Sequence, residues 1–200
     1  MRAILGIGNI GSRYNNTRHN VGFMFLDFMA DAFQLKFTPS KGDYYYCSGN
    51  YDGSDFTLIR PTTYVNNSGI AASHFLETNN LNPNDLLIIQ DELNLPFGKY
   101  KIKLNGGDGG HNGIASLIYH LNSNEFPRVR IGVGSGFGRG EQVDYVLGKF
   151  PANELASLEE IFEKTLTLSK EFIANGLKGF QDANSRLVTA EKNSSQSENN

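Results

Sequence analysis

Short apolar runs alternate along this chain with segments whose apolar residues recur every three or four positions, and that alternation fixes the fold class before any single residue is considered. Residues 3–7 (Ala-Ile-Leu-Gly-Ile) and 86–89 (Leu-Leu-Ile-Ile) read as buried strands, the second ending at Gln90-Asp91-Glu92. Residues 44–50 and 55–60, rich in Tyr, Ile and Thr around Asp52-Gly53, read as a hairpin. Lys99, Lys101 and Lys103 alternate with Tyr100, Ile102 and Leu104, a strand with one basic face, and 128–133 is another strand with Arg128 and Arg130 on one side. Between these lie helical patterns. Val21, Met24, Phe25, Phe28, Met29 and Ala32 form one stripe, with Asn20 or Thr17 as cap; others cover about 67–79, 112–121, 153–175 stopped at Gly176, and 177–187. Pro83 falls in a loop. The expectation is one α/β domain, a twisted mixed β-sheet flanked by helices, over residues 1–188. Residues 189–200, mostly Ser, Asn and Glu, are expected to be a polar, flexible C-terminal tail.

Composition excludes several function classes. Two hundred residues suit one core, and 39% hydrophobic with 20% charged residues is an ordinary globular mixture. No apolar run is long enough to span a bilayer, and Gly6, Gly8 and Gly11 interrupt the N-terminus before a signal-peptide core can form, so a cytoplasmic protein is expected. The single cysteine, Cys47, permits neither an internal disulfide nor a multi-thiolate metal cage. The net charge of −3 gives no general affinity for nucleic acid, but it is uneven: residues 95–150 carry 7 Lys/Arg against 4 Asp/Glu, while residues 1–94 and 151–200 are each acidic. A basic middle can contact phosphates.

Gly6-Ile7-Gly8-Asn9-Ile10-Gly11 has the spacing of a dinucleotide-binding turn after a first strand. Such a turn must run straight into a helix, and here a polar stretch from Ser12 to Asn20 intervenes. The glycines are better suited to bringing backbone and Asn9 close to a ligand. A second glycine-rich stretch, from Gly106 to Gly110, leads through His111-Asn112-Gly113 into a helix, where free N–H groups can hold an anion. His19, in the polar loop after the first strand, and Asp91, at the end of a buried strand, can meet beyond the carboxyl ends of the sheet, and a carboxylate orienting an imidazole makes a general base. His19, His111 and Asp91 are also a conceivable two-His, one-carboxylate metal set, although none of the usual ligand spacings is present. Ser135 is out of register for a Gly-x-Ser-x-Gly nucleophile. Asn9, Asn66 and Asn112 each sit in a Gly- or Ser-flanked loop, where an amide can hold a carbonyl or a water, or simply make a turn.

Six ordered blocks together resemble the bacterial peptidyl-tRNA hydrolase family. The first is Gly-Ile-Gly-Asn-Ile-Gly with Tyr14 and Thr17-Arg18-His19-Asn20-Val21-Gly22; then come Arg60-Pro61-Thr62-Thr63-Tyr64-Val65-Asn66-Asn67-Ser68-Gly69 and Asp91-Glu92-Leu93-Asn94-Leu95-Pro96. Gly109-Gly110-His111-Asn112-Gly113, Arg128-Val129-Arg130-Ile131-Gly132-Val133-Gly134 and Tyr145-Val146-Leu147-Gly148-Lys149 complete the set. The resemblance spans residues 2 to about 188.

It implies a monomeric, metal-independent and cofactor-free esterase that releases peptide and free tRNA from peptidyl-tRNA. By the same resemblance His19 is the base, Asp91 its orienting carboxylate, and Asn9 holds substrate or the developing oxyanion. Tyr14, Asn66, His111 and Asn112 hold the peptide and acceptor end, and Lys103 with Arg130 clamps the tRNA 5′-phosphate. Three positions depart from the family's usual pattern: Ile10 where Pro is common, Val65 where Met is frequent, and Asp108 adding a negative charge near Lys103. A non-catalytic RNA-binding module is the competing class, distinguished by tRNA binding without ester cleavage. A metal-dependent hydrolase is a third reading, distinguished by inactivation with a chelator.

Overall fold

The computed structural model describes residues 1–197. β1 (Arg2–Gly6) is followed by two 3₁₀ turns, Ser12–Tyr14 and Arg18–Asn20, and then α1 (Val21–Ala32). A two-residue β2 (Thr38–Pro39) precedes the hairpin β3 (Tyr44–Tyr51) and β4 (Ser54–Pro61), whose turn holds Asp52 and Gly53 at φ 50° and 74°, as a tight hairpin requires. A third 3₁₀ turn (Val65–Asn67) leads into α2 (Ser68–Asn79), and Pro83 opens a fourth before β5 (Leu86–Glu92). β6 (Tyr100–Lys103), α3 (Asn112–Leu121), β7 (Arg128–Gly132), α4 (Gln142–Leu147) and α5 (Ala152–Ser197) complete the chain.

The seven strands form one mixed sheet in the order β2-β3-β4-β1-β5-β7-β6. The central strands β4, β1, β5 and β7 are parallel, and the pairings toward either edge, β2-β3-β4 and β7-β6, are antiparallel. Residues alternate between two cores, as a strand buried on both faces must. Ile4, Leu58, Ile89 and Ile131 pack with Phe25 and Leu26 of α1 and Phe162 and Phe172 of α5. Ala3, Leu5, Ile59 and Ile88 pack with Phe75 of α2 and Ile114 and Leu117 of α3. Parallel connections put the carboxyl ends of β4, β1, β5 and β7 along one edge, and the loops that follow them carry the candidate site.

The break in α5 falls where the sequence places it: Gly176 adopts φ 66° and ψ −154°, and a Cβ there would lie 2.7 Å from the Arg2 guanidinium. The second helical segment, however, does not end at 187. It continues through 189–197, where the sequence reads as a polar tail, because polar residues need no core of their own on a helix already docked. Leu187 packs on the core, and Glu191 pairs with Lys164 at 2.6 Å, back on the first segment. The part of the tail expectation that concerns 198–200 lies outside the described residues. The sequence pattern also does not reveal β2 or α4, and it begins β6 one residue early, at Lys99.

Candidate active site

α1 reaches β1 and β5 more closely than side chains allow. A Cβ on Gly22 would stand 2.5 Å from the backbone N and O of Ile7 and the carbonyl of Ile89, and one on Gly6 would stand 2.4 Å from the Gly22 carbonyl. Gly6 and Gly22 therefore serve helix-on-strand packing, and two 3₁₀ turns occupy the place where a dinucleotide-binding turn would enter its helix. That packing sets His19 over the carboxyl end of β5. The turn bearing His19 is tied down from outside as well: Arg18 donates its backbone N–H to Gly148, its guanidinium reaches the Lys149 carbonyl at 3.1 Å and Glu154 at 3.4 Å, and it stacks on Tyr145 at 4.3 Å.

His19 Nδ1 lies 2.8 Å from Oδ1 of Asp91, and His111 Nε2 lies 3.0 Å from the same oxygen. His111 also caps α3, its Nδ1 accepting the Gly113 N–H at 3.1 Å. An imidazole nitrogen that accepts carries no hydrogen, so in neutral His111 the proton sits on Nε2 and points at Asp91. With His19 Nδ1–H donating to the same carboxylate, its Nε2 carries the free lone pair. Asp91 is buried, 3% exposed. Burial alone would raise its carboxyl pKa, but the two imidazoles outweigh it and hold the group well below the usual carboxylate range. Burial likewise opposes charging His19, and the adjacent carboxylate overcomes it, leaving the His19 pKa above its ordinary value. The three ligand-capable atoms of His19, Asp91 and His111 lie within 4.8 Å of one another, which makes them the candidate metal-holding set among the described residues.

His19, Asp91, His111 and Asn112 line one cavity of about 300 Å³, walled by Asn94, Phe137 and Val143. The other expected residues sit around it. Asn9 is buried on the loop after β1 and lines a neighbouring cavity. Its Oδ1 accepts the Val65 N–H at 3.0 Å, and among the described residues its Nδ2 donates to nothing. Asn20 stands at the N-cap position of α1 but makes no side-chain capping bond; its side chain instead clamps the Asn9 backbone, accepting from N at 2.8 Å and donating to O at 3.0 Å. No local pattern announces that clamp, which joins loops eleven residues apart. Asn66 is exposed on its 3₁₀ turn, beside Val65, and Tyr14 meets Tyr64 edge-on with ring centroids 6.3 Å apart.

The basic strands differ from their sequence reading. Arg128 is buried, stacks on Phe126 at 4.5 Å and donates to the Gly106 and Gly107 carbonyls, so it braces the glycine-rich loop; burial, then Arg130, pushes its pKa down to about 10. Arg130 pairs with Glu92, whose other oxygen accepts two bonds from Asn94. Lys101 stands opposite Arg130 and Lys103 opposite Arg128, all on one face; among the described residues neither lysine has a carboxylate partner. Four N–H groups of the glycine-rich loop and its turn into α3 are engaged within the protein. Gly106 N–H bonds Asn124, Gly110 N–H bonds Asp108 Oδ1 at 2.6 Å, His111 N–H bonds the Asp108 carbonyl, and Gly113 N–H bonds His111. Asp108, expected to weaken phosphate attraction, spends its carboxylate on that loop. Glu92 is the residue sequence reasoning missed, although its place next to Asp91 on a strand beside an Arg-x-Arg strand was the available signal.

The peptidyl-tRNA hydrolase family model matches residues 3–195. The chain is 41% identical over 175 residues to the peptidyl-tRNA hydrolase of Lactiplantibacillus plantarum, covering 88% of this chain and 94% of that one. It is 40% identical over 178 residues to that of Bacillus subtilis, covering 86% and 95%. The crystal structure of peptidyl-tRNA hydrolase from Acinetobacter baumannii superposes with a TM-score of 0.81 at 34% identity, covering 87% of this chain and 88% of that one. Sequence relatives and solved structures agree over nearly the whole length, and the chain belongs to the peptidyl-tRNA hydrolase family.

Proposed function

We propose that this chain hydrolyses the ester joining a peptide to the terminal ribose of tRNA, by a water that His19 deprotonates and without a metal. The observation that carries the reading is the Asp91 carboxylate taking His19 Nδ1 at 2.8 Å and His111 Nε2 at 3.0 Å on one oxygen. This fixes the His19 tautomer and turns the Nε2 lone pair toward substrate. Water attacks the ester carbonyl as Nε2 takes its proton; the tetrahedral intermediate then expels the ribose oxygen, which receives that proton. The unpaired Nδ2 of Asn9 is suited to the developing oxyanion, and Asn66, Asn112 and Tyr14 to the peptide and acceptor end. Lys103 and Arg130 are assigned to the tRNA 5′-phosphate, Arg130 after leaving Glu92. His111 acts through Asp91, as a positioning residue. The protein acts as a monomer in the cytoplasm, with residues 1–188 carrying the chemistry.

Cleavage of N-acetyl-aminoacyl-tRNA with and without EDTA, by the parent protein and by His19→Ala, tests this. Turnover is expected to survive EDTA and to fall by about 10²–10⁴-fold in a folded His19→Ala protein. Loss with EDTA would instead assign the His19–Asp91–His111 set to a metal. Binding without cleavage by the parent would leave an RNA-binding module.

A further inference from the structure

The 3₁₀ turn Arg18–Asn20 has three residues to the turn, so the side chains of Arg18, His19 and Asn20 leave its axis about 120° apart. Each meets a different part of the fold. His19 turns to Asp91 at the end of β5, Asn20 to the Asn9 backbone after β1, and Arg18 outward to residues 145–154. A turn this short has no length of helix to stiffen it, so these attachments set its orientation. The first two lie at the site, and the third lies behind it. That third attachment suits a planar cation. The Arg18 side chain is only 12% exposed. Its guanidinium lies over the Tyr145 ring at 4.3 Å and near the Phe150 ring at 5.4 Å, while its edge donates to the Lys149 carbonyl at 3.1 Å and to Glu154 at 3.4 Å. The main chain runs alongside: Arg18 N–H donates to the Gly148 carbonyl at 3.0 Å and Phe150 N–H to the Asn16 carbonyl at 2.9 Å. A lysine would supply the charge, but it cannot stack on a ring and donate in the plane at once.

We infer that Arg18 is a positioning residue for the base: its guanidinium, stacked on Tyr145, fixes the distance and tilt of the His19 ring against Asp91 from behind the cavity. Tyr145 carries the connection back to the sheet. Its hydroxyl donates to the Val133 carbonyl at 2.8 Å, and Val133 N–H donates to the carbonyl of Glu92 at 3.1 Å, one residue beyond Asp91. The contacts therefore close a ring from His19 through Arg18, Tyr145, Val133 and Glu92 to Asp91, and the last link is the 2.8 Å bond of Asp91 to His19. A base and its carboxylate carried on separate loops are thus held to each other twice, once inside the site and once around its back. The inner bond has little slack. A shift of about 1 Å in the turn takes Nδ1 out of hydrogen-bond reach, and a misplacement of that size costs about 10²-fold in rate. His111 reaches Asp91 from the start of α3 and shares none of this outer path, so losing Arg18 should free one imidazole and leave the other in place.

The inference rests on the hydrolase reading, and its test separates the two. The first measurement needs no substrate. In protein labelled with ¹⁵N in the imidazoles, the His19 Nδ1–H and the His111 Nε2–H, both bonded to Asp91, give downfield proton resonances, told apart by the one that disappears in His19→Ala. Arg18→Met is expected to lose the His19 resonance and keep that of His111. Tyr145→Leu, which removes the stacking ring and the Val133 bond from the far side, is expected to show the same selective loss, so the test stands even where Arg18→Met does not fold. The second measurement is cleavage of N-acetyl-aminoacyl-tRNA. Arg18→Met is expected to lower kcat by about 10²-fold with KM little changed. Arg18→Lys should restore only part of that loss, staying about tenfold below the parent. Glu154→Gln should stay within about twofold of the parent, because that pair is long and partly exposed. Retention of both imidazole resonances, loss of both, a defect carried by KM, or full activity in Arg18→Lys would overturn the inference. Failure of the parent to cleave would overturn the hydrolase reading, and the imidazole resonances would still decide whether Arg18 holds His19 to Asp91.

Discussion

Two imidazoles on one buried carboxylate oxygen set the protonation chemistry of the site. The Asp91 carboxylate remains charged throughout the working pH range, because its pKa is held low. In the proposed mechanism His19, whose pKa is raised, must lose its proton to act as the base, and the group that raises it is Asp91. In that mechanism kcat/KM rises with pH as His19 deprotonates, with its acid limb above the ordinary imidazole range. Asp91→Asn removes the negative charge and with it the main support for the imidazolium, so the limb moves to lower pH. The same change loses the enforced tautomer, so the plateau falls by about 10²–10⁴-fold. A pH profile of kcat/KM for the two proteins reads both effects. An acid limb that stayed in place in Asp91→Asn would assign the titrating group to something other than His19.

At the scale of elements, the site depends on how close α1 comes to the sheet. Gly22 stands where a Cβ would enter backbone on both β1 and β5, and backbone cannot rotate away as a side chain can. Gly22→Ala is therefore expected to cost about 3 kcal/mol in urea unfolding, with activity lost further as the His19 turn is displaced. An unchanged urea midpoint would show that α1 can lift freely. This close approach explains what the sequence made legible and what it hid. The strands and helices that carry strong periodicity, β1, the β3-β4 hairpin, α1, α3 and β5, stand within a residue or two of their expected places, because apolar spacing alone decides them. α4 and β2 are too short to show a period, and the 3₁₀ turns that hold His19 have none. His19 and Asp91 were legible as residues that could meet. His111 was legible beside them only as a possible metal or substrate ligand; the Asn20 clamp and the Glu92–Arg130 pair were not legible, because one joins loop positions eleven residues apart and the other joins neighbours that only the pairing of β5 with β7 creates. Residues 189–197 misled for a related reason: polarity removes the signal of a core but not the ability to continue a helix.

At the scale of the whole molecule, a chain of net charge −3 must draw a polyanion to one edge and not another. The β7-β6 edge offers Lys101 and Lys103 without carboxylate partners among the described residues, and Arg130 already engaged by Glu92. Under the proposed assignment of Arg130 to the 5′-phosphate, Glu92 is an internal competitor, and Arg130 would lend its charge to tRNA only by leaving it. Binding of a non-cleaved tRNA substrate to the His19→Ala protein, measured across salt concentrations, separates the three groups. Lys103→Ala is expected to weaken binding and to flatten the slope of log affinity against log salt by about 0.7–0.9. Arg130→Ala should weaken binding further, because it also leaves the Glu92 carboxylate facing the phosphate. Glu92→Gln should do the reverse, freeing Arg130, tightening binding and steepening the slope. In the double variant Glu92→Gln with Arg130→Ala the two changes should not add, since each acts through the other. If Glu92→Gln left both affinity and slope unchanged, Arg130 would have no part in holding phosphate. The cationic edge would then consist of the lysines, and the Glu92–Arg130 pair would be a strut that positions Asn94 beside the cavity.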